Sequence, residues 1–358
     1  MKVVQLVMSR QFRGAEIFAS NLAKELKEHG VDVLYLSLYQ NRGSQQFMPE
    51  GISVQDLAAD KTKSLSFGLI KRLAGALRKF NPDIVQANAG DTLKYAVIAK
   101  LVFGLKYKIV FRNASTVSHY FRSSVQKIFY SWLYRSVDKV ISVSQASMKD
   151  FVQVFPSMAG IIEVIPNSLL PKPFSKLNIF NHSDFNIVHV AGFTFEKNHE
   201  GLLRIFKMVK QSIPSAKLWL IGDGPLKPAV LKRVSEMKLM DVVFVGVVTN
   251  PMDYIASAHV LVLPSVLEGL PGVILEAFFC RTPVVAYHVG GIAEVVKPGE
   301  TGWLVETGDE ENFSKAVIEI SKSTHLTQML QRASELITNE YDNRKIAKGF
   351  LDVYSKLL

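Results

Sequence analysis

The sequence predicts an α/β protein with two doubly wound parallel sheets, and three observations support this prediction. Its 358 residues suffice for two domains rather than one. Short apolar runs, typical of buried strands, alternate with longer amphipathic segments over 1–168 and again from residue 186. Between them, residues 169–184 contain two prolines and little pattern, as expected of a linker. We therefore predict domains over 1–170 and 171–340.

The first half opens with an apolar strand over 3–8, followed by a helix over 14–29 that Gly30 ends. Residues 40–64 are polar, and we expect them to be irregular. The other elements alternate as the fold class requires: strands over 31–38, 83–87, 107–111, 138–143 and 161–165, and helices over 67–80, 92–103 and from Gln145.

A further helix is predicted over 117–135 because its apolar residues recur at helical spacing. Such a pattern is typical of a helix at a membrane interface, and equally of a helix packed against the sheet, so both interpretations stay open. The apolar residues are Phe121, Val125, Ile128, Phe129 and Trp132, and the basic residues around them are Arg122, Lys127 and Arg135.

The second half repeats the alternation of strands and helices. His199 and Asn250 or Asp253 are the residues that we expect at helix starts. We predict strands over 186–191, 216–221, 242–245, 260–263 and 283–287, and helices over 199–211, 309–322, 325–338 and 343–357.

The positive charge lies in the first half of the chain. Of the net charge of +10, residues 1–175 contribute +11 (23 Lys and Arg against 12 Asp and Glu), and residues 176–358 contribute −1 (19 against 20). A basic half predicts contact with an anionic surface, and we expect a membrane or an acidic lipid-linked substrate. Nucleic acid is the weakest interpretation, because no nucleic-acid-binding motif is present.

The chain has no uncharged apolar run approaching ~18 residues, so we expect no membrane-spanning helix. Its single cysteine, Cys280, fits a reducing cytosol. We therefore expect a cytoplasmic protein that attaches peripherally to the inner face of the membrane.

The stretch 264–291 carries the strongest functional signal. A loop with Glu268 and Gly269 follows an apolar strand, and Gly272 opens a helix after a proline. Free N–H groups at that helix start, near Gly272 and Val273, attract an anion such as phosphate. The glycines leave room for the phosphate to approach the backbone.

Two carboxylates flank the predicted phosphate position. Glu276 lies just over one turn inside the helix, and Glu268 lies eight residues earlier on the loop. Because a carboxylate repels phosphate, we expect both to accept hydrogen bonds from neutral hydroxyls, such as a ribose diol at Glu276. Together they predict a site for a sugar attached to a nucleotide.

The whole string P-S-V-L-E-G-L-P-G-V-I-L-E-A-F-F resembles the signature of the retaining GT-B glycosyltransferases, in particular glycosyltransferase family four (glycosyl transferases group 1). In that family the E-x7-E pair binds the nucleotide-sugar donor. The resemblance implies two Rossmann-like domains that face a central cleft. It also implies that the N-terminal domain binds the acceptor and is joined by a C-terminal helix, about 341–358, while the C-terminal domain binds the donor.

Other loops match the family in part. R-G-A-E at 13–16 resembles the family's G-G-A-E loop, with Arg13 in place of the first glycine, and G-D-G-P at 222–225 recurs in the family. The loop G-F-T-F-E-K-N resembles one that carries an arginine and a lysine; Lys197 matches the lysine, and Gly192 stands where the arginine would be. The implied catalytic residues are Lys197 and Glu268, and the implied donor-binding residues are Arg13, Gly14, Gly192, Lys197, Gly224, Val248, Glu268, Gly269, Leu270, Gly272, Val273 and Glu276.

The acceptor side is less defined. Related enzymes often carry a histidine near the end of the strand predicted here over 107–111. The residues at this place are Arg112, Asn113 and Ser115, with His119 further on, and which of them takes that role stays open.

The chain contains no D-x-D sequence, so we expect no metal to hold the diphosphate. Backbone N–H groups and Lys197 would stabilise the leaving group instead. The resemblance implies retention at the anomeric carbon, with the departing phosphate deprotonating the acceptor. We predict no cofactor other than the donor itself, a UDP-sugar, and a cell-envelope or surface-polysaccharide acceptor, such as lipopolysaccharide, that is lipid-linked.

Two alternatives remain beside the nucleic-acid binder. A sugar-nucleotide epimerase of the same architecture would need acid–base carboxylates and histidines in its cleft. A non-catalytic partner subunit is suggested by the residues missing from the family pattern before Gly14 and at Gly192.

Overall fold

The computed structural model describes residues 1–358 except 12, 41–48, 50, 59–64, 122, 182 and 324–325. The chain forms two compact units, unit 1 (Met1–Ser168 with Asn343–Leu358) and unit 2 (Leu169–Asp342). Each unit contains one sheet whose strands are all parallel, which confirms the predicted fold class. No helix in the described part of the chain is both long and apolar enough to cross a bilayer.

Unit 1 follows the predicted alternation with one additional strand. Its elements up to residue 168 are β1 (Lys2–Ser9), α1 (Gly14–Glu28), β2 (Asp32–Tyr39), β3 (Ser53–Ala58), α2 (Phe67–Phe80), β4 (Ile84–Ala87), α3 (Gly90–Phe103), β5 (Lys108–Asn113), α4 (Ser124–Tyr134), β6 (Lys139–Ser142), α5 (Gln145–Val154) and β7 (Ile162–Val164).

Unit 2 repeats the pattern, and the C-terminal helix of the chain belongs to unit 1. The elements are β8 (Phe185–Val190), α6 (His199–Ser212), β9 (Ala216–Ile221), α7 (Lys227–Glu236), β10 (Val242–Gly246), α8 (Pro251–Ser257), β11 (Val260–Leu263), α9 (Gly272–Phe279), β12 (Val284–Tyr287), α10 (Ile292–Val295), β13 (Trp303–Val305), α11 (Glu310–Lys322), α12 (Thr327–Glu340) and α13 (Asn343–Leu357).

The strand order reverses once in each sheet. Unit 1 has the order β3-β2-β1-β4-β5-β6-β7, and unit 2 has the order β10-β9-β8-β11-β12-β13. In an open parallel sheet, ligands bind outside the carboxyl ends of the strands at such a reversal. In unit 2 the reversal lies between β8 and β11, which pair through Ile187 with Val260 and Val188 with Leu261. The loops that follow these two strands are therefore the expected binding loops of unit 2.

The prediction that residues 40–64 are irregular was wrong for 53–58, which form β3 at the edge of the unit 1 sheet. The strand was missed because its sequence, S-V-Q-D-L-A, contains polar residues. The structure satisfies its Asp56: Arg10 Nε donates to Asp56 Oδ1 at 3.0 Å and Arg10 Nη2 to Asp56 Oδ2 at 2.5 Å. A charged residue is thus tolerated in this sheet because it is paired with a guanidinium in two-point geometry.

The helix predicted over 117–135 is shorter in the structure, and most of its apolar residues are exposed rather than packed against the sheet. It begins at Ser124 and ends at Tyr134, and only Leu133 and Tyr134 are buried. Phe121 precedes the helix and packs inward, with its ring 4.8 Å from that of Tyr130. Arg122 lies outside the described residues.

Candidate active site

The candidate site lies on two loops that follow the adjacent strands β8 and β11 of unit 2. Lys197 is on the loop between β8 and α6, and Glu268 is on the loop between β11 and α9. The Lys197 Nζ donates to Glu268 Oε1 across 2.5 Å, and the Glu268 side chain is only 8% exposed. The structure therefore brings together the two residues that the sequence predicted as catalytic.

Two more hydrogen bonds join these loops. Asn198 Nδ2 donates to the Pro264 carbonyl at 3.0 Å, and the Val266 amide donates to the Glu196 carbonyl at 2.9 Å. With the Lys197–Glu268 pair they make three links between two segments about 70 residues apart in sequence. The position of Lys197 is consequently set by the backbone around it and not only by its own rotamer.

The loop that carries Lys197 turns sharply at Asn198. This residue has φ +50°, in the left-handed region that asparagine tolerates better than most residues, and its side chain accepts from the Gly201 amide at 3.2 Å. Asn198 therefore caps α6 and links to the β11–α9 loop at the same time. Sequence analysis did not single it out, although asparagine before a helical segment is the signal of such a cap.

The loop of Glu268 is held from the other side by a glycine pair. Gly290 has φ +54°, and a Cβ placed on it would lie 2.1 Å from the Glu268 carbonyl oxygen. The Gly291 amide donates to the Gly269 carbonyl at 2.6 Å. Neither glycine was predicted as a site residue, because the need for glycine at 290 comes from the close approach of the Glu268 backbone, 22 residues earlier in the sequence.

The helix α9 begins as the sequence predicted. Pro271 precedes its first residue, Gly272, and makes no side-chain cap. A Cβ on Gly272 would meet nothing within 4 Å, so the space beside Gly272 is open. The amides of Gly272 and Val273 form no hydrogen bond within the described part of the chain, which leaves two donors for an anion.

Glu276 lies in the second turn of α9 and is half-buried. Burial raises the pKa of its carboxyl from 4.5 to about 7, an effect that the positive charge of Lys172 partly opposes. No donor among the described residues bonds to this carboxylate. It therefore has free capacity to accept hydrogen bonds from a ligand's hydroxyls, as predicted.

The loop after β9 packs against the loop that carries Lys197. Gly222 has φ +131°, and a Cβ on it would lie 2.1 Å from the Ala191 carbonyl oxygen; one on Gly224 would lie 2.6 Å from the Phe193 carbonyl oxygen. The Phe193 amide donates to the Asp223 carbonyl at 3.0 Å. The predicted site residues Gly192 and Gly224 thus lie in facing turns, whose close contact requires glycine at 222 and 224.

Two buried histidines lie beside this region. His189 Nδ1 is 2.8 Å from the Val262 carbonyl, and the ring of His199 stacks on Phe193 with centroids 4.2 Å apart. Burial lowers the pKa of His189 to about 4 and that of His199 well below its usual range. Both rings are therefore neutral at neutral pH, and Lys197 supplies the positive charge of its loop. His199 is the first residue of α6, as predicted.

Comparison with known proteins assigns the family. The model described as glycosyltransferase family 4 matches residues 12–169, and the one described as glycosyl transferases group 1 matches residues 184–323. The chain belongs to this family of glycosyltransferases. The predicted family, glycosyl transferases group 1, and the predicted enzyme class, glycosyltransferase, are confirmed.

Two curated relatives cover most of this glycosyltransferase at low identity. N-acetyl-α-D-glucosaminyl L-malate synthase of Bacillus anthracis is 24% identical over 362 residues, covering 96% of this chain and 94% of the relative. N-acetylgalactosamine-N,N'-diacetylbacillosaminyl-diphospho-undecaprenol 4-α-N-acetylgalactosaminyltransferase of Campylobacter jejuni is 27% identical over 266 residues, covering 72% of each.

Among solved structures, the complex of Anabaena HepE with UDP-glucose superposes with a TM-score of 0.84. It is 21% identical in sequence and covers 99% of this chain and 100% of that one. At this identity the likeness shows that the two proteins share the fold. The predicted GT-B architecture, with two parallel-sheet α/β domains, is therefore confirmed for this glycosyltransferase.

Three other predicted donor-binding residues of the glycosyltransferase, Val248, Arg13 and Gly14, are on segments other than the loops of Lys197 and Glu268. Val248 follows β10, which is the edge strand of the unit 2 sheet and is separated from β11 by two strands. Arg13 and Gly14 begin α1 in unit 1, where both are exposed and Arg13 makes no side-chain cap. A Cβ on Gly14 would meet nothing within 4 Å. Their roles toward the donor stay predictions.

The three acceptor-side candidates have different surroundings in unit 1. Asn113 is buried, and its Nδ2 donates to Ser142 Oγ at 3.0 Å and to the Ser147 carbonyl at 3.2 Å. Its side chain thus ties β5 to β6 and α5. His119 is exposed in the segment before α4. No described contact joins it to Arg112 or Asn113.

Arg112 is buried inside unit 1. Its guanidinium carbon lies 3.9 Å from the centroid of the Phe18 ring, and its Nη2 donates to Asn167 Oδ1. Burial lowers the pKa of Arg112 to about 9, opposed by the nearby Glu16, whose own pKa burial raises to about 7. These contacts join β5 to Phe18 of α1 and to Asn167, which follows β7. The sequence did not suggest this positioning role.

Among the described residues, no three His, Cys, Asp or Glu side chains lie close enough together to hold a metal ion.

Proposed function

We propose that this glycosyltransferase is a retaining enzyme that transfers a sugar from a UDP-sugar to a lipid-linked acceptor of the cell envelope, without a metal. The observation that carries the proposal is the ion pair between Lys197 and the nearly buried Glu268, which lies four residues before the start of α9. A cation, unpaired helix amides and a carboxylate in one loop system match the parts of a sugar diphosphate.

Each group has a distinct task toward the donor. The diphosphate would be bound by the amides of Gly272 and Val273 and by Lys197. Glu276 would accept the ribose hydroxyls. Lys197 donates to Oε1 of Glu268. The other carboxylate oxygen of Glu268, Oε2, can accept a hydrogen bond from a hydroxyl of the donor sugar.

The proposed chemistry needs no side-chain base. As the bond from the anomeric carbon to the diphosphate breaks, negative charge grows on the leaving oxygen. Lys197 and the α9 amides, already in place, stabilise that charge. The departing phosphate oxygen takes the proton of the acceptor hydroxyl, which attacks the same face of the sugar and so retains its configuration.

The acceptor part of the proposal has two supports. Residues 1–175 carry a net charge of +11 (23 Lys and Arg against 12 Asp and Glu), which suits a substrate anchored in an anionic membrane. The Campylobacter jejuni relative is named for a diphospho-undecaprenol acceptor. We propose that unit 1 binds the acceptor and unit 2 the donor, in a cytoplasmic enzyme peripheral to the inner membrane face.

Donor binding is tested by thermal shift with UDP-glucose, UDP-N-acetylglucosamine and UDP-N-acetylgalactosamine, with GDP-mannose and ADP-glucose as controls. A ligand at ~100 times its Kd adds about 2.7 kcal/mol of stability, so a bound donor gives a clear rise in Tm. The donor that binds is then incubated with undecaprenyl-diphospho-sugar acceptors, and NMR of the product gives the anomeric configuration.

Each outcome bears on the proposal. An α-linked product from an α-linked UDP-sugar supports it, and an inverted product overturns retention. Epimerised donor without an acceptor would assign the chain to the epimerases. If the chain neither binds nor hydrolyses any nucleotide sugar, it would be assigned to the non-catalytic partner subunits.

A further inference from the structure

The apolar stripe of α4 faces away from the core of its own unit. Val125, Ile128, Phe129 and Trp132 fall at positions i, i+3, i+4 and i+7, which is one face of a helix. Their exposed fractions are 75%, 70%, 38% and 43%. We call these four residues the α4 outward face. In a globular unit such a stripe would ordinarily be the buried side of its helix.

The opposite side of α4 provides its packing. The Tyr134 ring lies 4.8 Å from the Phe155 ring and 5.1 Å from the Phe151 ring, and Tyr130 lies against Phe121. The helix is therefore anchored through the side that carries Tyr130 and Tyr134, while Val125 and Ile128 of the outward face stay largely exposed. A contiguous apolar surface that folding does not require marks an interaction site.

The charge around this face restricts its partner. Residues 124–135, which comprise α4 and the residue after it, contain Lys127 and Arg135 and no Asp or Glu. On α4 and directly after it, Lys127 and Arg135 are exposed. The partner must therefore offer an apolar layer together with negative charge.

A second copy of the chain does not fit these requirements. A two-fold dimer through the α4 outward face would bring the same patch of both copies together. Lys127 and Arg135 of one copy would then meet those of the other, with no acidic residue on α4 to compensate. An anionic bilayer supplies both the apolar layer and the negative charge.

We propose that the α4 outward face is a membrane-docking surface for anionic lipid. Val125, Ile128 and Trp132 enter the boundary between headgroups and acyl chains, while Lys127 and Arg135 contact the headgroups. The inference rests on the proposed function only in its purpose, because docking would hold unit 1 next to a lipid-linked acceptor. Docking itself requires neither donor nor acceptor.

Binding is tested by cosedimentation of the full chain with vesicles of phosphatidylcholine mixed equally with phosphatidylglycerol, and with vesicles of phosphatidylcholine alone. We expect binding to the mixed vesicles at low salt and much weaker binding to the neutral ones. Replacing Lys127 and Arg135 together by glutamine should lower the partition coefficient about 30-fold, at about 1 kcal/mol for each basic residue. The matched control replaces Lys232 and Lys315 of unit 2, both exposed, and should leave binding unchanged.

The apolar part is tested separately. Val125→Ser combined with Ile128→Ser should lower binding by roughly tenfold, because apolar area no longer leaves water. Met240→Ser is the control, since Met240 is 90% exposed in unit 2. Vesicles with brominated acyl chains should quench the fluorescence of Trp132, and Trp132→Phe should abolish the quenching while Trp219 and Trp303 remain.

Three results would overturn the proposal: no binding to anionic vesicles at low salt, equal binding by Val125→Ser/Ile128→Ser, or quenching that persists in Trp132→Phe. A dimer in sedimentation that Ile128→Ser abolishes would assign the α4 outward face to a second copy instead. Thermal shift with the UDP-sugar is run on the same variants. Vesicle binding without donor binding would contradict the proposed function alone, and donor binding without vesicle binding would contradict the docking surface alone.

Discussion

Lys197 and Glu268, 71 residues apart in sequence, form a direct ion pair in which Lys197 Nζ lies 2.5 Å from Glu268 Oε1. The exposed fractions of their side chains are 24% and 8%. Each residue thus holds the other in place before any ligand arrives. A donor diphosphate that binds Lys197 would meet a cation whose position is already set, which lowers the reorganisation needed during reaction.

The pairing should appear as an energetic coupling. Lys197→Met removes the partner of a nearly buried carboxylate, and we expect it to lower the free energy of unfolding by about 2–3 kcal/mol. Glu268→Gln should cost less, because an amide oxygen still accepts from Lys197. The double variant should be clearly less destabilised than the sum of the two, as measured by urea unfolding in a double-mutant cycle. Additive losses would mean that the pair does not form in solution.

Lys197→Ala should lower kcat more than it raises the donor KM. The reason is that its contact strengthens as charge develops on the leaving diphosphate, and the loss of one such donor typically lowers kcat by about 10²–10³. Steady-state kinetics over a range of donor concentrations checks this, with Lys232→Ala as an exposed control. A change confined to KM would mean that Lys197 binds ground state and transition state equally.

Glu276 should make stability depend on pH with a defined sign. The pKa of its carboxyl is about 7 in the folded protein, against an ordinary value of 4.5 in the unfolded chain, so between these values the folded state keeps a proton that the unfolded state releases. The contribution of Glu276 to stability therefore decreases as pH rises from about 4.5 to 7. Glu276→Gln removes it, and the Tm of the variant relative to the unmodified protein should rise across this range.

Calorimetry at several pH values checks this prediction. Glu300→Gln, at an exposed site, is the control, and its Tm should run parallel to that of the unmodified protein. Parallel curves for Glu276→Gln as well would show that its carboxyl is not desolvated.

The same residue should matter for the donor: Glu276→Ala should weaken UDP-sugar binding by about 10–100-fold through lost hydrogen bonds to a charged group.

Gly290→Ala should weaken donor binding through the Glu268 loop. Its Cβ would lie 2.1 Å from the Glu268 carbonyl oxygen, so the loop must move, whereas Gly308 has a positive φ of 88° and open space around it. Gly308→Ala is therefore the matched control, which incurs only backbone strain of about 1–2 kcal/mol. We expect a larger loss of Tm and of UDP-sugar affinity for Gly290→Ala, measured by calorimetry and titration. Equal effects at both positions would show that the contact with Glu268 is unimportant.

The sequence by itself predicted the elements whose signals are local. The strand, loop and helix over 260–279 follow from an apolar run, a proline and a glycine. Glu268 and Glu276 are singled out by their places on that loop and helix and by the family resemblance of the whole string. Two doubly wound sheets follow from the alternation of short apolar and longer amphipathic segments. Each of these signals depends on neighbours within one or two turns, so one chain suffices to detect it.

Only the tertiary structure decided features that depend on residues far apart in sequence. Asp56 could be placed in β3 only once Arg10 was seen to pair with it, and the role of Gly290 depends on Glu268. The periodicity over 117–135 predicted a helix but not its orientation. Rings from β5 and α5 pack against Tyr134, and these contacts with residues outside α4 leave the apolar stripe facing outward.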